Sequence, residues 1–437
     1  MDASLRRTKR RTTGLRVLGG LVVLCVIALG INWWLLHDDP EVAAPMSVMP
    51  SPNAYDFYIQ AGNARVSTAQ IDAIRTKPTP PRTPAEEKAL KRIEAAIQQE
   101  ATSLQLLHQG FAYAYRNPPT KPYSIHREFA AFRGLARLLS MQSKVRAARG
   151  NWGGSADSAL DAIRLGEDIP HGGALIAGLV GIACQSIGQR PMWATVDHLN
   201  AAQSRAAIQR LQTIMDRHAT YSEIMQEEKW FGQASLKETF RSLNMRKALA
   251  MANDYSDEQT STAQRYRIAL YLLYGKKVIM HNYMTYMDQL ATSGRQSYGL
   301  HLPSPPMPTD PINQISMPVF AHARWNFVAS ETQNSLLLVA LALHAFRLEH
   351  GHAPFSLAEL TPAYLQKLPD DPFAAQGTFK YLVKGKGYVL YSIGPDGKDD
   401  GGTPIDDPQY AGSSNPQARY QVRFNSLGDF VAGINSP

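Results

Sequence analysis

The chain has 437 residues, 44% of them apolar and 19% charged, which is too long for one ordinary core and too apolar for a disordered chain. Its formal charge of +8 suggests nucleic acid, but Arg6, Arg7, Lys9, Arg10, Arg11 and Arg16 against Asp2 put +5 into the first sixteen residues and leave +3 for the rest. The basicity is local, and nucleic acid is excluded as the expected partner.

Residues 1–16 read as a basic cytoplasmic tail. Directly behind them, residues 17–36 (VLGGLVVLCVIALGINWWLL) carry no charge and as a helix would span about 30 Å, the thickness of a bilayer's hydrocarbon core. The basic tail before this stretch and Asp38 and Asp39 after it orient the N-terminus inside and the bulk outside, with Trp33 and Trp34 at the headgroup level. A cleaved signal peptide would have a shorter apolar region ending at a small-residue site, whereas this one ends in Trp-Trp-Leu-Leu. The expectation is an uncleaved anchor in the cytoplasmic membrane, with the remaining chain in the periplasm or outside the cell. Cys25 falls in the anchor and Cys184 in the body, so no disulfide framework and no cysteine-rich zinc site is available.

Residues 37–53, rich in proline, read as a linker, and residues 54–300 as a helical domain. Leu90, Ile93, Ile97 and Leu104 have helical spacing within one run from Glu86 to Phe111. A helix closing at Gly150 precedes an Ala-rich partner (SADSALDAIRLGEDI), a hairpin of tetratricopeptide flavour that does not recur at a fixed period. The run GGALIAGLVGIACQSIGQ reads as a buried helix, and Asn200 with Gln203 as a capping box for the next. YRIALYLLYGKKVIMHNYMTYMDQL reads as a core helix. Residues 301–319 form a Pro-rich connection. Residues 320–437 open with a long helix to His350, followed by a short helix capped by Ser356 and Glu359 and an antiparallel hairpin of TFKYLV and GYVLYSI. The fold class is therefore mostly α: a transmembrane helix, an irregular helical domain with TPR-like hairpins, and a small α+β module.

Gly351, Pro354, Leu357, Leu360, Leu368, Pro369, Asp371, Pro372, Tyr381, Gly394, Asp396 and Gly397 fall in an order that resembles the globular end of the type II secretion major pseudopilin. The match covers residues 330–407, and the whole arrangement also resembles membrane-anchored proteins of planctomycetes and neighbouring phyla. The resemblance implies a small sheet packed on a helix, and calcium in the loop after the sheet. The chain departs from that family at its anchor, which lacks the prepilin-peptidase sequence and lies some 280 residues before the matching helix.

Motifs for chemistry are sparse. No His is followed by Glu, no Gly-x-Ser-x-Gly or Ser-x-x-Lys occurs, and no glycine-rich phosphate loop is complete. His350 and His352 form a His-x-His pair with metal-ligand spacing, against a helix-terminal reading. Glu227 and Glu228 are adjacent, a poor arrangement for paired-carboxylate work on a helix. Asp396, Asp399, Asp400, Asp406 and Asp407 crowd five carboxylates into one Gly-rich loop. Two explanations compete: a calcium ion held by hard oxygen donors, or a solvated turn whose aspartates cap backbone amides. The expected function is a membrane-anchored, extracytoplasmic, non-catalytic scaffold or adaptor with a protein partner in the envelope, linked to a secretion-type apparatus. The alternatives are an envelope hydrolase with its site in the helical domain and a genuine pseudopilin-like subunit.

Overall fold

The computed structural model describes residues 45, 47–66, 80, 83–119, 126–254, 260–316, 318–385, 387–410, 412 and 418–435. The expected tail and anchor (1–36) and the first part of the linker lie outside them. Among the described residues no helix is long and apolar enough to cross a membrane. The described chain is mostly helical, with a small three-stranded antiparallel sheet near its C-terminal end. The helices are α1 (Ala54–Asn63), α2 (Pro84–Gln99), α3 (Ala101–Gly110), α4 (Glu128–Ala148), α5 (Trp152–Asp168), α6 (Leu175–Val196), α7 (Ala201–Met215), α8 (Tyr221–Arg241), α9 (Met245–Asp254), α10 (Thr262–Tyr274), α11 (Lys276–Ser293), α12 (Pro311–Ser316) and α13 (Pro318–His350).

Local chemistry sets many of these boundaries. Reciprocal capping boxes open α2 (Thr83 with Glu86), α7 (Asn200 with Gln203) and α10 (Ser261 with Gln264), satisfying amides that have no intrahelical partner. Gly150 and Gly351, at φ +76° and +77°, follow α4 and α13 in the left-handed conformation that ends helices. Two runs that read as single helices are broken. At Glu100 (φ −88°, ψ 10°) the chain turns from α2 into α3, and Ser103 Oγ donates to the Ala61 carbonyl at 2.7 Å, fixing α3 to α1. The Tyr-rich run breaks at Gly275 between α10 and α11. In both cases apolar periodicity continues across a backbone turn, so the pattern alone does not reveal the break.

Contacts divide the chain into two units. One contains Gly232–Tyr286 and Pro306–Met317, the other Ser47–Phe231, Met287–Pro305 and Pro318–Pro437. The smaller unit is built on Phe240, Ala248, Ala252, Ala269, Leu272 and Ile279. Asp310 anchors its last helix by accepting the Asn313 amide at 3.0 Å and the Asn282 side chain at 2.9 Å.

Among the described residues of the larger unit, two apolar clusters bear on the site. Tyr58, Leu107, Phe132, Leu135 and Leu139 join α1, α3 and α4. Leu160, Ile163, Ile208, Leu211, Leu337, Leu341 and Phe346 join α5, α7 and α13, and continue into Leu360, Phe373, Leu390 and Phe430 beneath the sheet. Each fully buried Leu, Ile or Phe contributes roughly 1.5–3 kcal/mol. The hairpin strands β1 (Lys380–Lys384) and β2 (Gly387–Ser392) pair with Tyr381 opposite Leu390. A third strand that the sequence did not announce, β3 (Phe430–Val431), pairs on the other side of β2, with Tyr391 opposite Val431. Along the α5–α6 seam, Gly166 faces the Gly181 carbonyl and Gly188 faces the Ala159 carbonyl so closely that a Cβ would lie 2.5 and 2.7 Å from them. The absent side chains let the two backbones approach, and that closeness sets the position of Glu167.

Candidate functional site: a cleft at His218

Glu167 lies on the stripe of α5 that also carries Leu160 and Ile163, one to two turns away, and so points into the helical core. Its side chain is 3% exposed. On one side Oε1 accepts the Asn334 side-chain amide at 3.1 Å. Asn334 also donates to Gln185 Oε1 at 3.0 Å and accepts from Gln189 Nε2 at 2.6 Å, and Ser330 Oγ donates to Gln185 at 2.7 Å. A polar network from α5, α6 and α13 thus runs through the apolar core, which fixes its members in one arrangement.

On the other side Glu167 Oε2 lies 3.1 Å from Nδ1 of His218. The turn after α7 delivers this histidine, whose amide donates to the Met215 carbonyl at 3.0 Å. Thr220 and Glu223 then cap α8 reciprocally, at 2.8 and 3.2 Å. Burial works against a charged imidazole here, but the Glu167 carboxylate, with Glu331 and Glu223 behind it, outweighs that and raises His218 to about 9. At neutral pH it is an imidazolium donating Nδ1–H to Glu167, with Nε2–H as its second donor. Burial pushes the Glu331 carboxyl up; His218 opposes that and Glu167 adds to it.

His218 and Glu331 line a cleft of about 940 Å³. Four separate segments build its walls. Arg295 Nε donates to Ser222 Oγ at 3.2 Å, and Arg324 lies 5.4 Å over the Tyr298 ring. Asp370 and Asp371 come from the loop ahead of the sheet. Asp371 is occupied structurally: it accepts the Phe373 amide at 3.0 Å, the Ser392 hydroxyl at 2.7 Å and the Ile393 amide at 3.1 Å, and burial raises its pKa. The cleft thus places an imidazolium and two guanidinium groups, together with the carboxylates of Glu223, Glu331, Asp370 and Asp371, around a volume of small-ligand size. Among the described residues no serine, threonine or cysteine hydrogen-bonds to His218. Cys184 is fully buried, and its thiol is raised to about 12 by that burial, so it is no nucleophile.

The residues singled out in the sequence lie elsewhere. Asp406 is held by the Arg419 guanidinium, with Nη2 at 2.6 Å, and Asp407 by Arg423 at 3.0 Å. Asp399 accepts the Tyr391 hydroxyl at 2.9 Å and the Gly401 amide at 3.1 Å. Asp396 accepts the Lys398 and Gly428 amides at 3.2 and 3.3 Å. The Asp400 amide donates at 3.3 Å to the buried Asp429, whose pKa is raised by burial first and by Asp399 and Asp400 after it. Among the described residues no three His, Cys, Asp or Glu side chains form a group that could hold a metal ion. The rings of His350 and His352 are 6.2 Å apart, and their Nδ1 atoms lie 3.0 and 2.9 Å from the Phe346 and Ala353 carbonyls. Glu227 pairs with Arg116 at 2.7 Å while Glu228 accepts the Leu175 amide at 2.8 Å, so the adjacent acids serve different neighbours.

Sequence reading missed the His218 cleft because its members are scattered over four segments. One signal was available: a glutamate on an apolar helical stripe needs a buried partner. No known protein family, curated protein or solved structure matches the chain.

Proposed function

We propose that the chain is an extracytoplasmic scaffold or adaptor, anchored in the cytoplasmic membrane by residues 17–36, that uses the His218 cleft to hold an anionic group of an envelope partner. The observation that carries this reading is the Glu167–His218 pair, which fixes an imidazolium on the same cleft as Arg295 and Arg324, with no serine, threonine or cysteine hydrogen-bonded to it among the described residues. Arg295 and Arg324 are the groups that would grip such an anion, which would have to sit on their side of the cleft, away from the carboxylates of Glu223, Glu331, Asp370 and Asp371. Long helix α13 followed by a small antiparallel sheet supports a pseudopilin-like reading of the C-terminal part as a finer proposal.

The test is photocrosslinking in membranes from a reactive group at Tyr298. A discrete adduct, lost in Arg324→Ala and His218→Gln, supports the adaptor. The second reading, an envelope hydrolase, is favoured by the carboxylate–imidazole pair itself. Turnover of ester, phosphate or glycoside reporters by the purified chain, abolished in His218→Gln, would replace the adaptor with it. A pseudopilin-like subunit would show a trimmed, methylated N-terminus by mass spectrometry. Calcium at the aspartate loop is a separate proposal drawn from the crowding of Asp396, Asp399 and Asp400 beside Asp429. A rise in Tm with millimolar calcium that Asp396→Ala abolishes supports it, and an unchanged wild-type Tm overturns it.

A further inference from the structure

A second recess, of about 650 Å³, lies between α6, α13 and the C-terminal loop of the larger unit. Its lining is periodic. Ser186, Arg190 and Trp193 follow one another at i, i+4 and i+7 along one face of α6, and Asn326 and Gln333 are seven apart on α13, beside Trp325. Among the described residues no hydrogen bond occupies the side chains of Ser186, Arg190, Asn326 or Gln333. Both indoles are partly buried against the core, and both Nε1–H groups are shielded from solvent with no acceptor among the described residues. An indole N–H can only donate, and buried ones ordinarily find a partner, so two orphans at one recess require an explanation. Among the described residues about half of the lining is polar, with Arg190 its one charged side chain.

We propose that this recess binds an oligosaccharide. A sugar ring presents apolar C–H faces that stack on the electron-rich face of an indole, and a rim of hydroxyls that donate and accept in the ring plane. Two tryptophans flanked by two amides, a hydroxyl and a guanidinium supply both kinds of contact. Sugar oxygens are acceptors of the kind the indole N–H groups lack, and engaging them requires the rings to shift on binding. A purely apolar ligand would leave the amides and guanidinium unpaired, and a cationic one would meet Arg190. The recess shares no lining residue with the His218 cleft, so the proposal is independent of the function inferred there.

The test uses the full chain solubilised in a zwitterionic detergent without a sugar headgroup, applied to an array of immobilised oligosaccharides. The best hit is then titrated in solution by tryptophan fluorescence. Saturable binding is expected, weakened roughly tenfold in Trp325→Phe, which keeps the stacking face and removes the N–H. Gln333→Ala, at a helix face, is expected to weaken it similarly without unfolding the chain. No array signal above that of Trp193→Ala/Trp325→Ala, or binding indifferent to Trp325→Phe and Gln333→Ala, overturns the proposal.

Discussion

Replacing His218 by glutamine keeps a neutral hydrogen-bond donor beside Glu167 but removes the cation. Raising the imidazole from 6.5 to about 9 corresponds to about 3 kcal/mol, and solvent screening at a side chain 29% exposed brings it to about 2 kcal/mol. Because the folded value lies above the unfolded one, this stability is fully present below about pH 6.5 and is lost as pH rises through about 9. Four tryptophans, Trp152, Trp193, Trp230 and Trp325, belong to the unit containing His218. Urea unfolding followed by their fluorescence therefore reads the right region. The wild type is expected to lose about 2 kcal/mol relative to Glu167→Gln/His218→Gln between those pH limits. His218→Gln alone is expected to be the least stable of the three at neutral pH, since it strands a buried carboxylate. Parallel pH profiles for wild type and double variant would refute the ion pair.

Other consequences follow from single contacts. Asp371→Ala strands three donors, two of them buried, and is expected to cost about 3 kcal/mol, against about 1 kcal/mol for Ser392→Ala, measured as urea midpoints. Gly166→Ala should raise stability by about 1 kcal/mol if helix propensity governs it. The Gly181 carbonyl 2.5 Å from the new Cβ instead predicts a loss of about 1–3 kcal/mol, and the sign of the change in Tm decides. Arg205 grips Glu349 through two nitrogens at 2.7 Å, and Tyr364 donates to the same carboxylate at 2.6 Å, holding it down at about 2. Its contribution is present above the ordinary 4.5 and is lost as pH falls toward about 2, so Glu349→Gln is expected to flatten the acid limb of a Tm–pH profile.

The parts of the fold that were legible are those written in a few neighbouring residues. Asn200 with Gln203 and Ser356 with Glu359 cap helices in the structure, Gly150 and Gly351 end them, and TFKYLV with GYVLYSI supplies a hairpin. Breaks inside periodic runs were not legible. At Glu100 and Gly275 the next helix resumes the apolar pattern, and only the tertiary contact, such as Ser103 to Ala61, fixes the turn. Two-residue β3 was illegible for a different reason. Phe430 and Val431 carry no alternation of their own, and are strand only because β2 offers an open edge to them.

For the site, the strongest sequence signal and the strongest structural one separate because crowding in sequence and convergence in space are different quantities. Five aspartates in one Gly-rich loop are conspicuous, yet Arg419 and Arg423 each neutralise one, and Tyr391 and the amides of Gly401, Lys398 and Gly428 engage two more. Glu167, Gln185, Ser330 and Asn334 are inconspicuous, yet each falls on the buried stripe of its helix, where an unpaired polar group would be costly. Helices brought together by Gly166 and Gly188 require those groups to satisfy one another, and the carboxylate's last lone pairs reach outward to His218. The imidazolium that faces the cleft is therefore a consequence of how the core was made polar, and a search for polar residues at core positions of helices would have found it before any motif search.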